Sequence, residues 1–234
     1  MTEQLVFELA PPESPSFANF LPGTNAEALQ ALMRIANGTL PETGLVLWGA
    51  QGAGKSHLLH ATIAACVARG RHCVAFDDAE RLLEITPDAF AQNAFVAVDG
   101  VDRASEAAQG RLFTLFNAAR EAGGHLLLAS RVPPARMDVR EDLRTRLGWG
   151  LVYEIVPLTD ADKPAALLAY ARQRGFTLSS DVVRYLLLHG RRDMATLVAT
   201  LAALDRHSLA TKRPVTVPML RAWLQRDGAR TNDI

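Results

Sequence analysis

The sequence has little lysine, little cysteine and no excess of charge of either sign. Among its 234 residues, 25 Lys and Arg balance 25 Asp and Glu, and the only three lysines are Lys55, Lys163 and Lys212. Balanced charge argues against a chain that holds nucleic acid by its own surface, because affinity for the phosphate backbone rises with the number of cations that contact it.

Long apolar runs are also missing. No stretch approaches the roughly 20 uninterrupted apolar residues of a membrane span, and no cationic segment leads into an apolar one at the N-terminus. Because 49% of the residues are nonetheless hydrophobic, the chain has enough apolar surface for a packed core. We therefore expect a soluble, cytoplasmic protein that does not contact a membrane.

Cysteine and tryptophan are too sparse to define a site. The two cysteines, Cys66 and Cys73, have neither the spacing of metal ligands nor a second pair beside them, so we expect two reduced, buried thiols. We expect the three tryptophans to be packing residues of the core or of the C-terminal helices.

Short apolar runs alternate with helical patterns as far as Pro157. The strand-like runs are Leu45–Trp48, Cys73–Phe76, Phe95–Val98, His125–Ala129 and Leu151–Ile155. Such runs separated by helices are typical of a parallel sheet covered on both faces. Beyond Pro157 the helical segments are Asp160–Arg174, Ser180–Leu188, Asp193–His207 and one that follows Thr216. The sequence therefore predicts an α/β domain with a parallel sheet flanked by helices, then a small all-α lid domain.

The predicted domain bounds follow from the same patterns. Residues 1–15 are rich in proline and small polar side chains, which indicates an extended leader. Residues 16–157 form the predicted α/β nucleotide-binding domain, and residues 158–234 form the helical lid.

A phosphate-binding motif lies between a strand and a helix of the first domain. The pattern G-x-x-x-x-G-K-[ST] spans 49–56, and its candidate ligand-binding residues are Gly49, Gln51, Gly52, Ala53, Gly54, Lys55 and Ser56. Backbone N–H groups curl around phosphate oxygens in such a loop, the lysine reaches the β- and γ-phosphates and the serine hydroxyl ligates Mg²⁺. The alternative is a glycine-rich turn with an incidental lysine. We add His57 to the candidate nucleotide-binding residues because it follows the motif directly; packing is its alternative.

Asp99 is a second candidate Mg²⁺ ligand, through water. It follows the apolar run Phe95–Val98, and its carboxylate would reach the metal if that strand lies beside the strand of the phosphate loop. A strand-terminal Asp that caps the next turn is the alternative. The next position, where a residue that polarises the attacking water is expected, is Gly100. Asp102 lies two residues further, so we expect weak intrinsic hydrolysis at most.

With these motifs and a helical lid, the chain resembles the DnaA family of AAA+ proteins over nearly its whole length. The resemblance implies that the segment 17–25, with Phe20, Leu21 and Pro22, covers the nucleotide base. It implies that Arg146 is an arginine finger for a nucleotide on a neighbouring subunit, and that Arg192 contacts the chain's own phosphates. In each case an adjacent arginine, Arg144 or Arg191, leaves the assignment open. Arg131 stands where the family has a polar or acidic sensor of the γ-phosphate.

The leader contains a second short motif. Residues Gln4, Leu5, Phe7 and Leu9 resemble the peptide by which some proteins dock on the sliding clamp of DNA polymerase III. A frayed terminus or an edge strand is the alternative.

The resemblance implies an adenine-nucleotide-binding regulator, with ADP or ATP and Mg²⁺, that promotes hydrolysis of ATP on DnaA together with the clamp and so represses replication initiation. The chain reaches Ile234 without room for a helix-turn-helix domain, so DNA is expected to be contacted only indirectly. Homo-oligomerisation stays open. The alternatives are a stand-alone or helicase-loader-like ATPase and a scaffold with a vestigial phosphate loop.

Overall fold

The computed structural model describes residues 14–84, 94–190 and 193–231. The chain divides into two compact units, one that spans Pro15–Pro157 and one that contains the described residues from Leu158 onward. Within these described ranges, no helix combines the length and the hydropathy that a membrane span requires.

Five parallel strands form the sheet of the first unit, in the spatial order β2-β3-β4-β1-β5. The strands are β1 Gly44–Trp48, β2 Cys73–Phe76, β3 Phe95–Val98, β4 His125–Ser130 and β5 Leu151–Glu154. The predicted parallel sheet is confirmed, and each strand begins and ends within about one residue of the apolar run that predicted it. β3 and β4 are buried at every position, which explains their continuous apolar sequence.

Helices cover both faces of this sheet. They are α1 Ala26–Ala36, α2 Lys55–Val67, α3 Glu106–Ala122 and α4 Glu141–Leu147. Successive strand residues point to opposite faces, so Leu45 and Leu47 of β1 pack with α1 and α2, whereas Val46 packs with α3 and α4. The two apolar layers hold the sheet rigidly, and the carboxyl ends of its strands therefore form a fixed edge.

The second unit contains four helices in the described residues, which agrees with the predicted all-α segment. They are α5 Lys163–Gln173, α6 Ser180–His189, α7 Met194–Thr211 and α8 Val217–Thr231. Its core is formed by Leu167, Tyr170, Val183, Leu186, Leu201 and Leu220. Asp205, whose side chain is 7% exposed, is paired there with Arg174, with 3.7 Å between Oδ2 and Nε.

Asn25 joins the start of α1 to the chain that leaves β5. Its Nδ2 donates to the carbonyl of Val156 at 2.8 Å, and its Oδ1 accepts from the Val156 amide at 2.9 Å. Asn25 is 5% exposed, and both bonds are partly buried. Its side chain does not cap α1, although it stands at the N-cap position. The side chain therefore stabilises a contact between distant segments and not the helix end.

Replacement of Asn25 by Ala removes the hydrogen-bond partners of the partly buried amide and carbonyl of Val156. We expect the free energy of unfolding to fall by about 2 kcal/mol. Chemical denaturation measures this change. Asn37→Ala is the matched control, because Asn37 is exposed at the other end of α1 and should change the value by less than about 0.5 kcal/mol. Equal effects of the two substitutions would contradict the assignment.

Candidate functional site

The phosphate-loop motif turns the chain from β1 into α2. Gly54 is the N-cap of α2 with a φ of +103°, and no side chain caps the helix there. The first N–H groups of an α-helix have no partner within the helix, and the helix dipole makes this end attractive to anions. The loop thus presents uncapped N–H groups where the motif predicts a phosphate.

Two positions of the loop accept only glycine. Gly49 has a φ of +148°, and a Cβ atom there would lie 2.5 Å from the backbone oxygen of Ile155. A Cβ at Gly54 would lie 2.9 Å from the ring of Phe20, in a left-handed backbone conformation. The spacing of these glycines in the motif therefore follows from the close approach of two other segments.

Lys55 is held at the centre of the loop. Its Nζ donates to the carbonyls of Gly49 and Ala50, each at 2.8 Å, and the residue is 8% exposed. An ammonium group has three donors, so one N–H remains for a further acceptor such as a phosphate oxygen. Burial lowers the pKa of Lys55, and the carboxylates of Asp99 and Asp102 oppose this change.

Ser56 and Asp99 meet at the carboxyl edge of the sheet. The Ser56 hydroxyl donates to Oδ2 of Asp99 at 2.5 Å, while Oδ1 accepts from the Gly100 amide at 2.7 Å. The condition under which Asp99 was expected to reach the metal, a β3 directly beside β1, is not met, because β4 lies between the two strands. The contact forms nevertheless, because the loop after β1 carries the first turn of α2 towards the end of β3.

The same two side chains fit Mg²⁺ as oxygen ligands. Mg²⁺ is usually held by one or two protein oxygens, substrate phosphates and water, and not by a cage of side chains. The described residues contain no group of three or more His, Cys, Asp and Glu that could hold a metal. His60 is engaged elsewhere, with the Ser56 carbonyl at 2.8 Å and Asp77 at 3.0 Å.

The segment before α1 lies against the phosphate loop. Ser16 and Asn19 form a reciprocal capping box around the 3₁₀ turn Phe17–Asn19. His57 Nε2 lies 3.1 Å from the Ser16 carbonyl, and its ring centroid lies 5.7 Å from that of Phe20. The structure therefore brings together Phe20, His57 and the loop, with the partly buried Leu21 and Pro22 next in the chain.

Arg144 and Arg146 differ in their surroundings, although both lie on α4. Arg144 donates to Glu141 at 3.0 Å and to the carbonyl of Val139 at 2.9 Å. Arg146 has no ion pair in the described residues, and its guanidinium carbon lies 4.2 Å from the ring centroid of Phe113. The Nε atoms of Arg144 and Arg146 are both buried and have no hydrogen-bond partner in the described residues. The difference between the two is that the terminal nitrogens of Arg144 are already bonded to Glu141 and Val139, whereas Arg146 forms no ion pair in the described residues.

Trp149 lies on the same surface and corrects one prediction. It is 57% exposed instead of packed inside, and its ring lies 5.2 Å from the guanidinium carbon of Arg146 and 5.7 Å from that of Arg120.

The prediction of two buried thiols also holds only in part, since Cys66 is buried and Cys73 is partly exposed, both as free thiols. Burial raises the pKa of Cys66 to about 12.

Asp102 and Arg131 form a contact that sequence reasoning missed. Arg131 follows β4, and its Nε donates to Oδ2 of Asp102 at 2.7 Å. The Arg131 amide donates to Oδ1 of the same carboxylate at 3.2 Å. The sequence singled out Asp102 and Arg131 separately, because each lies near an expected catalytic position. No local pattern links two positions that are 29 residues apart.

Two sets of predicted residues lie outside the described residues. They are the leader residues Gln4, Leu5, Phe7 and Leu9, and the lid arginines Arg191 and Arg192. Their roles stay predictions.

His57 provides a pH-dependent signature of this site. Burial lowers its pKa below the ordinary value of 6.5, partly offset by the Ser16 carbonyl. The folded chain therefore binds this proton less readily than the unfolded chain, so the stability due to neutral His57 is complete above about pH 6.5 and is lost as the pH falls through the folded pKa.

We expect the free energy of unfolding to fall between about pH 7.5 and about pH 5.5, and to fall less in His57→Gln. Chemical denaturation at several pH values measures the free energy of unfolding of the parent and of His57→Gln. The pKa of His125 is also lowered by burial, but His125 contributes equally to the two chains. An NMR titration of His57 with a midpoint at or above 6.5 would contradict the assignment.

Comparison with known proteins adds to this geometry. Residues 160–224 match the family model of the Hda lid domain. Domain III of the replication initiation protein DnaA from Thermotoga maritima is 19% identical; the match covers 93% of this chain and 98% of that chain, with a TM-score of 0.68.

Two further solved structures are similar. DnaA from Aquifex aeolicus bound to AMPPCP is 20% identical, over 85% of this chain and 67% of that chain, with a TM-score of 0.66. A Neisseria meningitidis protein with a solution structure is 34% identical, over 67% of this chain and 100% of that chain, with a TM-score of 0.39. The DnaA likenesses show that the fold of this chain is that of an AAA+ domain.

Proposed function

Since this chain belongs to the AAA+ proteins related to DnaA and Hda, we propose that it binds an adenine nucleotide and promotes hydrolysis of the ATP held by DnaA. The observation that carries the proposal is the Hda lid match over residues 160–224, which separates this chain from AAA+ proteins in general. Hydrolysis of the ATP on DnaA would repress replication initiation, because it converts the initiator from its ATP-bound to its ADP-bound form.

Nucleotide binding is supported by the phosphate loop. The uncapped N-terminus of α2 and the buried ammonium of Lys55 provide donors for phosphate oxygens, and the similar DnaA from Aquifex aeolicus binds the ATP analogue AMPPCP. Phe20 and His57 offer ring faces beside the loop that suit the base or the ribose of ADP or ATP. Ser56, and Asp99 through water, would hold Mg²⁺, which offsets the negative charge of the phosphates.

Arg146 would act on the nucleotide of the partner. A guanidinium supplied by a neighbouring subunit can stabilise the charge that spreads over phosphate oxygens in the transition state. Arg146 suits this role because no carboxylate in the described residues neutralises it, whereas Arg144 is paired with Glu141. The rings of Phe113 and Trp149 support the guanidinium without supplying a competing anion.

Substitution of Arg146 by Ala should abolish the stimulation of DnaA. We expect the rate of ATP hydrolysis by DnaA, measured with clamp-loaded DNA, to fall by at least about tenfold, towards the rate of DnaA alone. The matched control is Arg144→Ala, on the same helix, which should keep the stimulation within about twofold because that side chain serves its own helix. Undiminished stimulation by Arg146→Ala, or a loss specific to Arg144→Ala, would reject the finger assignment.

The sliding clamp enters the proposal through the leader. Gln4, Leu5, Phe7 and Leu9 have the spacing of an extended peptide whose alternate side chains enter pockets. With 25 basic and 25 acidic residues, the chain has no excess charge for DNA, so the clamp and DnaA would supply the contact with DNA.

A chain with Gln4→Ala and Leu5→Ala should bind the sliding clamp at least about tenfold more weakly, because it loses both the polar anchor and one apolar anchor. Pull-down and surface plasmon resonance with purified clamp measure the loss. Thr2→Ala with Glu3→Ala is the control, since it changes two neighbouring leader residues outside the motif. Parent-like binding by the first variant would remove the clamp from the proposal but leave the action on DnaA intact.

A further inference from the structure

Arg131 bonds to both oxygens of the Asp102 carboxylate. The Asp102 side chain is 5% exposed, and Arg131 contacts both of its oxygens, with the guanidinium Nε on Oδ2 at 2.7 Å and the backbone amide on Oδ1 at 3.2 Å. Arg131 itself is 57% exposed. A buried carboxylate is thus paired with a cation that reaches it from the surface.

The pair lies beside the phosphate loop. Asp102 belongs to the 3₁₀ turn Val101–Arg103, which follows Asp99 and Gly100 at the end of β3, and Arg131 follows the adjacent strand β4. β4 lies between β3 and β1, so the pair stands at the same sheet edge as the loop. Asp102 and Arg131 both act on the pKa of Lys55, the first raising it and the second lowering it.

Asp102 is also the next carboxylate after the metal-binding candidate Asp99 along this turn. Gly100 has no side chain, so it cannot orient or deprotonate water. Arg131 bonds to both oxygens of this carboxylate and so holds it in one orientation, and turning the carboxylate towards a water molecule would require these bonds to break. The pair therefore fixes the orientation of the carboxylate of this turn that has the chemistry of a general base.

We propose that Arg131 restrains Asp102, a latent general base, and thereby keeps the nucleotide on this chain from being hydrolysed. The proposal rests on the nucleotide binding described above. When the restraint is removed, Asp102 accepts a proton from water as the water oxygen bonds to the γ-phosphorus and the bond from that phosphorus to the bridging oxygen of ADP breaks. The products are ADP and inorganic phosphate, and the proton passes from Asp102 to solvent.

This arrangement suits a chain that acts on a partner. A nucleotide that is hydrolysed slowly keeps the chain in one state while its finger acts repeatedly in trans. Arg131 is accordingly a positioning residue, and its effect must pass through Asp102. Loss of Arg131 therefore has a consequence that a general disturbance of the fold does not have: a gain of activity that depends on one carboxylate.

The test compares the parent with Arg131→Ala, Asp102→Asn and the double variant, as isolated chains with Mg²⁺. Phosphate release gives kcat and KM for ATP, and a fluorescent ADP analogue gives nucleotide affinity. We expect Arg131→Ala to raise kcat at least about tenfold with little change in KM, because positioned bases contribute about a hundredfold or more. In the Arg131→Ala background, Asp102→Asn should remove this gain.

The outcomes separate this inference from the proposed function. If the Arg131→Ala chain binds nucleotide as the parent does but shows no gain in kcat, the proposed restraint is overturned. If the double variant is as fast as Arg131→Ala, Asp102 is excluded as the base. If thermal melting shows that Arg131→Ala does not fold, Arg131→Gln takes its place, because it removes the charge with less loss of packing. The same criteria then apply to it. A parent that binds no adenine nucleotide would overturn both proposals, whereas failure of Arg146 in the DnaA assay leaves this one standing.

Discussion

The buried ammonium group of Lys55 determines the shape of the site. A cation at 8% exposure needs acceptors, and the carbonyls of Gly49 and Ala50 supply them at 2.8 Å. These carbonyls converge because the loop turns through positive φ at Gly49 and Gly54, where other segments leave no space for a side chain. Ser56 follows Lys55 directly, so the same geometry brings its hydroxyl to the end of β3. The proposed phosphate site and the proposed metal site therefore both depend on this one constraint.

Arginine has several distinct physical roles in a chain that contains only three lysines. Arg71 lies 3.2 Å from His125 inside the first unit, Arg131 holds a buried carboxylate, and Arg144 is bound to its own helix. The guanidinium of Arg146 lies over aromatic rings and forms no ion pair with a carboxylate in the described residues. The guanidinium group suits all of these positions because it stays charged, donates in several directions and stacks on flat surfaces. The surroundings, and not the residue type, separate a structural arginine from one that can act on a partner.

Much of the fold was predictable because it depends on local order in the chain. The strands are short apolar runs bounded by glycine or polar residues, and both faces of the central strands are covered, so burial leaves a continuous apolar pattern. The phosphate loop was equally predictable, since its glycines and Lys55 lie within eight consecutive positions. The exposure of Trp149 was not predictable in this way, because hydrophobic residues at a surface follow from the shape of the folded chain.

The sequence by itself determined the α/β architecture, the helical segment after Pro157 and the residues of the phosphate loop, because each of these depends on spacing along the chain. Only the tertiary structure decided the position of β4 between β1 and β3, the bonds from Asn25 to Val156 and the pair of Asp102 with Arg131. These contacts join segments that are 29 to 131 residues apart. The geometry of these contacts depends on the spatial order of the strands in the sheet and on the polar groups that this order buries side by side. Neither can be derived from a local sequence pattern.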